Sequence, residues 1–305
     1  MGFTSQDDLI NQITTNGKSG NFFYNKTLLN TAVAGAWTDL GVSLGLPPAS
    51  TYSSGVTDLS FFPTDDTWVE GSVYHGGDVS TATKHFMQAG ATVANATGSP
   101  WILMCVDQVG FVPVGNTTAA NVTSIGTKTV TMAPISNTAA KVDRYANGVG
   151  LRLYLSARTS LGANAPTMQV TYTNTAGTGG KVTTAGCVST ASAVAGQIIN
   201  SGSAANKYNP FLPLAAGDVG VKDIENLIWG GTAHASGTVN IHLVKPLWTL
   251  PIPANAIYTK ADFLNALPSL PRIPDGACLR FILYSQAATP SGTPIMCDFD
   301  YAYGC

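Results

Sequence analysis

His75 and His85 flank Asp78 within eleven residues, and three such side chains are a conceivable metal set. The spacing matches no familiar metal pattern, so the expectation is packing and capping. A strand is expected to turn through Gly76-Gly77 into a short helix that Asp78 or Ser80 caps and Gly90 ends, with His75 in the turn and His85 beside Phe86 and Met87 on the helix. Asp298 and Asp300 alternate with Phe299 and Tyr301, which puts both carboxylates on one side of a strand. Such a pair can do acid–base work or hold calcium, but a solvated strand face or a charged edge is the more ordinary reading. Asp65-Asp66 and Asp7-Asp8 read as turn and cap residues.

Nucleophile and phosphate motifs are not found. There is no GxSxG and no Walker A sequence, and the pairs Gly76-Gly77 and Gly230-Gly231 lack a βαβ setting. Seventeen acidic residues, mostly in turns and caps, leave few carboxylate pairs for a glycan hydrolase. No catalytic residue, no metal and no cofactor is expected.

Composition narrows the partners. Only 10% of the 305 residues are charged, whereas a soluble chain averages about 25%. The net charge is −2 and the charges are scattered, which speaks against phosphate contacts and so against a nucleic-acid partner. No apolar run approaches the roughly 18 residues of a membrane span, and MGFTSQDDLINQ lacks the pattern of a signal peptide. The cysteines number five, with no CxxC spacing. Cys105 in WILMCV and Cys278 in CLRFILY read as buried thiols, as expected of a chain folding in a reducing cytoplasm. A body so poor in charge either wets its surface with Thr, Ser and Asn or covers it with protein neighbours.

The elements that must position these residues are short strands. Candidates are 101–106, 109–114, 127–132, 150–156, 168–173, 180–184, 196–200, 278–284 and 295–303, with TAGTGG (175–180) as a hairpin tip. The stretch 208–253 is expected to be a central hairpin. Its first arm carries Val219, Val221, Ile224, Leu227 and Trp229 with one slip, as a bulge would require; its second carries Val239, Ile241 and Leu243 against Asn240 and His242. Short helices are expected after Ser5-x-x-Asp8 and Thr259-x-x-Asp262, beside the one ending at Gly90. Many short strands with three short helices argue an all-β antiparallel sandwich, jelly-roll-like. The expected division is an N-terminal arm over residues 1–60 and a β body over 61–305, with two β domains cut near 145 as the alternative.

Four blocks carry a resemblance: SVYHGG…TKHFMQAGA, RYANGVGLRLYL, PFLPLAAGDVGVKDIENL and LNALPSLPRIPDGACLRFIL. Together they resemble a family of tailed-bacteriophage virion proteins, over the span from about Leu9 to the end. The resemblance implies no reaction. It implies a decoration or cement protein on the capsid surface of the virion, with the major capsid protein and further copies of itself, often a trimer, as partners. The aromatic residues Phe22, Phe23, Tyr24 and Trp37, then Tyr301 and Tyr303, are the contact candidates, because aromatics concentrate interface energy; each can equally fill a core. The alternatives are a carbohydrate-binding spike or host-attachment module, a jelly-roll major capsid protein, and an enzyme with a carboxylate pair.

Overall fold

The computed structural model describes residues 3–50, 60–61, 71–79, 82–95, 97, 99–114, 143–184, 187–200, 209–232, 234–266 and 270–304. The strands, in chain order, are β1 (Ser19–Thr27), β2 (Ala36–Asp39), β3 (Leu44–Leu46), β4 (Ser60–Phe61), β5 (Thr83–Val93), β6 (Trp101–Val114), β7 (Arg152–Ala157), β8 (Thr167–Asn174), β9 (Lys181–Val182), β10 (Val221–Gly230), β11 (Val239–Ile252), β12 (Thr259–Asp262), β13 (Arg272–Ile273), β14 (Leu279–Ser285) and β15 (Pro294–Gly304). The helices are α1 (Gln6–Thr14) and α2 (Phe263–Ala266), with 3-10 turns at Leu40–Val42 and Asp143–Gly148. The protein is an all-β antiparallel sandwich, as the strand spacing predicts.

Among the described residues three sheets make the body. The first runs β12-β5-β15-β1-β3 with β13 beside β5, the second runs β2-β14-β6-β11-β7 with β4 beside β6, and the third runs β10-β8-β9. The second sheet is the spine. Its long strands β6 and β11 pair from Val239↔Val114 to Ile252↔Trp101. Val239, Ile241 and Leu243 of β11 and Val109, Val112 and Val114 of β6 pack with the third sheet's Met168, Val170, Leu227 and Trp229. The other ends of the same strands, Trp248, Leu250 and Ile252 with Trp101, Leu103 and Cys105, pack with the first sheet's Phe86, Ile295 and Phe299. Two cores thus share two strands.

The runs WILMCV and CLRFILY follow from this position. A strand covered on both faces cannot alternate apolar with polar. Every residue of β14 is buried, and so is all of β6 except the half-buried Ile102. The prolines of β11 also have a reason. β7 pairs only with Val239–Val244, so Pro246 and Pro251 fall where β11 has lost that neighbour and a missing N–H leaves no ladder bond unmade. The pairing with β6 shifts register between Leu243 and Val244 and again between Pro246 and Trp248.

The expected central hairpin is not one. β10 pairs with β8, and β11 pairs with β6 and β7. The glycine-rich tip turns the chain from the third sheet into the second, and the two arms meet face to face through Val221, Leu227 and Trp229 against Ile241 and Leu243. The expected bulge is real: β10 slips register against β8 at Val221/Asp223 and at Ile224/Asn226. TAGTGG does close a hairpin, β8 to β9, through Tyr172↔Lys181.

Residues 83–93, expected to be helical up to Gly90, are instead the strand β5, paired with β15 throughout. A register shift at Asp300/Tyr301 sets Met87 outside the pairing, and this bulge breaks the alternation that would have announced a strand. Residues 196–200 form only isolated bridges, Thr38↔Gln197 and Ser156↔Ile198. The expected pieces 101–106 and 109–114 are one strand, β6. The expected strand 127–132 and the pair Asp65-Asp66 lie outside the described residues.

Ser5 caps α1 by accepting from the Asp8 N–H at 3.0 Å, while the Asp8 carboxylate accepts from the Thr4 N–H at 2.9 Å. At the second expected cap, Thr259 is already in β12, and Asp262 alone caps α2 by accepting from the Leu264 N–H at 3.0 Å. Of the stretch read as an N-terminal arm, β1 lies between β15 and β3, and β2 pairs with β14. Gly45 of β3 has φ +126°, and a Cβ there would run into the Asn25 carbonyl, so only glycine closes this edge.

Candidate functional site

The chemistry-bearing side chains gather in two places. The first is a sealed polar seam along the second sheet, with Asp39, Arg280 and His242 toward the cluster of Val106, Tyr154 and Ile282, and Asp107, paired with Leu279, on the opposite face. Lys26, Asp39, Asp107 and Arg280 are all fully buried, two cations and two carboxylates. The Asp39 carboxylate accepts from the Gly41 N–H at 2.8 Å, and Asp107 accepts from the Cys278 N–H at 2.8 Å and the Tyr145 hydroxyl at 2.9 Å. Lys26 donates to the Ser43 carbonyl at 2.9 Å. Burial, followed by the positive charge of Arg280, pulls the Lys26 ammonium down to about 8.

His242 is the hub of the seam. Its Nδ1 lies 3.0 Å from Gln108 Nε2, its Nε2 2.7 Å from Ser156 Oγ, and its ring stacks on Tyr154 at 4.3 Å between centroids. Asp39 Oδ2 stands 3.8 Å from the same Nε2. A serine, a histidine and an aspartate are therefore together, but not as a nucleophile's triad. With the Gln108 amide donating to Nδ1, the ring proton sits on Nε2 and is donated to Ser156, the reverse of what a base must do. All three side chains are shut off from solvent. Burial depresses His242 to about 3, so the ring is neutral.

The other histidines are similarly engaged. His234 Nε2 lies 2.7 Å from Ser189 Oγ, with Trp229 edge-on to the ring. His75, depressed to about 4 first by burial and then by Lys84, has its Nδ1 3.1 Å from Lys84 Nζ. Lys84 also donates to the carbonyls of His75 and Gly77 and lies over the Tyr301 ring. His85 Nδ1 faces the Leu270 carbonyl at 3.2 Å, and Asp78 accepts from the Gly276 N–H at 2.7 Å. The conceivable metal set thus makes three separate structural contacts. Cys105 and Cys278 are buried thiols, as expected.

The second place is the outer face of the first sheet. Asn25 pairs with Leu46 on one side and Met296 on the other, and residues paired this way share a face. Phe23 stands two residues along the same face. Phe23 is 70% exposed, Leu46 64%, Leu44 58% and Met296 45%, so four large apolar side chains stand together in solvent. Beside them Asp298 accepts from the Tyr258 hydroxyl at 2.9 and 3.0 Å, and Asp300 accepts from the Gln88 amide. Their strand is not an edge: β15 lies between β5 and β1. Burial, then the bond to Asp298, raises the Tyr258 phenol to about 12. A Cβ on Gly90 would collide with the Tyr258 ring and hydroxyl. Gly90→Ala is expected to expel Tyr258 and return its pKa toward 10, a shift that an NMR titration of this ring would show.

Of the six aromatic contact candidates, Phe23 alone is open. Tyr24 packs on Phe281 and Trp37 on Tyr284, both inside cores. Phe22 stacks on Tyr301 at 5.1 Å, and Tyr301 on Tyr303 at 6.4 Å, a pile of rings on the inner side of the sheet. Leu44, Leu46 and Met296 went unnoticed in the sequence because each sits among ordinary loop or strand residues.

North of these apolar residues, toward α1, the same face forms a groove of about 440 Å³ walled by Ile13, Ser19, Asn21, Met87, Gln88 and Asp300. No helix among the described residues is long and apolar enough to cross a membrane. Comparisons of the chain with family models, with curated proteins and with solved structures found no match.

Proposed function

We propose that this protein is a non-enzymatic structural protein of a phage virion, a decoration protein that binds across subunits of the capsid shell through the outer face of its first sheet. The observation that carries the reading is the group Phe23, Leu44, Leu46 and Met296, exposed together on one sheet face in a chain with only 10% charged residues. Large apolar side chains gathered on a rigid face mark a surface that another protein covers. The sequence resemblance to capsid-associated virion proteins supplies the partner, the major capsid protein, and the symmetry of a shell favours copies set around a three-fold axis. His242, Asp39 and Arg280 support the same reading, since they are sealed from solvent and so out of reach of a substrate.

A decoration protein stabilises the shell by binding only the assembled form. Purified particles are expected to contain the chain in fixed ratio to the capsid subunit, and shells without it to open at lower temperature. Phe23→Ser combined with Met296→Ser is expected to weaken shell binding by about a hundredfold, from two apolar contacts of roughly 1.5 kcal/mol each. Circular dichroism and the melting temperature of the free protein stay near those of the parent, because neither side chain is in a core. Undiminished occupancy by the double variant, or equal heat resistance of bare and decorated shells, removes the proposal.

A further inference from the structure

We infer that the groove beside α1 is a binding site for a neutral carbohydrate. This goes beyond shell binding and uses different residues from it. The groove, about 440 Å³, has the volume of a small-ligand site. Its lining joins the apolar chains of Ile13 and Met87 with the polar Ser19, Asn21, Gln88 and Asp300, completed by Gly20 and Tyr301. The polar set is fixed by the sheet: Asn21 pairs with Asp300 on β15, and Asp300 pairs in turn with Gln88 on β5, so the three form a row across three strands on one face. Asp300 accepts from the Gln88 amide nitrogen, which orients both and leaves the Gln88 carbonyl oxygen to accept from a ligand. Among the described residues, the side chains of Ser19 and Asn21 hold no protein partner.

The chemistry selects the ligand class. An anion would meet Asp300 and no cation, since among the described residues no Lys or Arg lines the groove. A divalent cation would find a single carboxylate, too few hard ligands for calcium. A sugar hydroxyl both donates and accepts, and the row offers it both: a carboxylate and an amide oxygen to accept, and the Asn21 amide and Ser19 hydroxyl to donate. The C–H faces of the ring lie against Ile13 and Met87. An extended peptide would seek a strand edge for its own N–H and C=O groups, and this groove lies over β1, β15 and β5, which are paired with one another.

The test is a glycan array of neutral oligosaccharides probed with the intact protein, then calorimetric titration with the sugar best retained. A dissociation constant on the order of 1 mM or tighter is expected. Asn21→Ala and Asp300→Asn are each expected to weaken it about tenfold, the effect of one lost hydrogen bond to a positioned group. Asn21 is exposed, so its variant folds even if the Asp300 variant does not. Phe23→Ser, which removes a shell contact, leaves sugar binding unchanged, so the two readings fail separately. The inference is overturned if no sugar is retained, if binding survives Asn21→Ala, or if that variant alters shell occupancy while sugars have no effect, which makes the groove a protein contact.

Discussion

Lowering the pH from 7 to 5 is expected to remove about 4 kcal/mol of folding stability, about 2 kcal/mol each from His242 and His75. Burial holds the first at about 3 and the second at about 4 in the folded protein, whereas both titrate near 6.5 once unfolded. Between those values the unfolded chain takes up protons that the folded chain refuses. Stability therefore falls with pH from about 6.5 downward, and the slope flattens only near the folded values. His85 and His234 are also depressed by burial and add in the same direction. Urea midpoints at pH 7, 6 and 5 measure the slope. His242→Gln, which keeps an amide in the seam, is expected to be less stable at pH 7 but to lose about one proton's share of the slope. An unchanged midpoint from pH 7 to pH 5 contradicts the account of sealed, neutral rings.

The second large effect concerns Arg280. It is fully buried on the same face of the second sheet as Asp39, and the buried Lys26 feels both charges. Arg280→Met strips the buried Asp39 carboxylate of a neighbouring cation, out of reach of water, and is expected to cost about 3–5 kcal/mol. The penalty is that of stranded charge, so Arg280→Met with Asp39→Asn, which removes the stranded carboxylate, is expected to recover part of it. Chemical denaturation at constant m-value reads both. A loss below about 1 kcal/mol for the single variant would mean that solvent reaches the seam.

These four charges explain why much of the interior was invisible in the sequence. Lys26, Asp39, Asp107 and Arg280 lie in unrelated stretches, each a lone charge in an apolar or polar run, and only the pairing of β2, β14 and β6 brings three of them to one sheet. By contrast, the fold class was legible, because many short apolar runs separated by Gly, Pro and Thr admit little but strands, and TAGTGG closes a hairpin locally. The misreadings have local causes. Two apolar arms around a glycine-rich tip look the same whether the strands pair edge to edge or turn a corner between sheets, as β10 and β11 do. The bulge in β5 hid its alternation. Of the candidate site, Phe23 could be named but not separated from Phe22 and Tyr24, since a run of three aromatics on a strand must send its members to opposite faces and nothing local says which face is wet. The groove joins residues from α1, β1, β5 and β15, far apart in the chain, and no spacing rule reaches that distance.

The shared strands carry a mechanical consequence. Each half of β6 and β11 belongs to a different core, and the two are paired antiparallel from end to end apart from two register shifts. A load applied to one lobe along the strands is borne in shear, by many bonds at once, and cannot peel them off one at a time. On a particle under internal pressure, the setting proposed for this chain, such a part would act as a stiff tie rod.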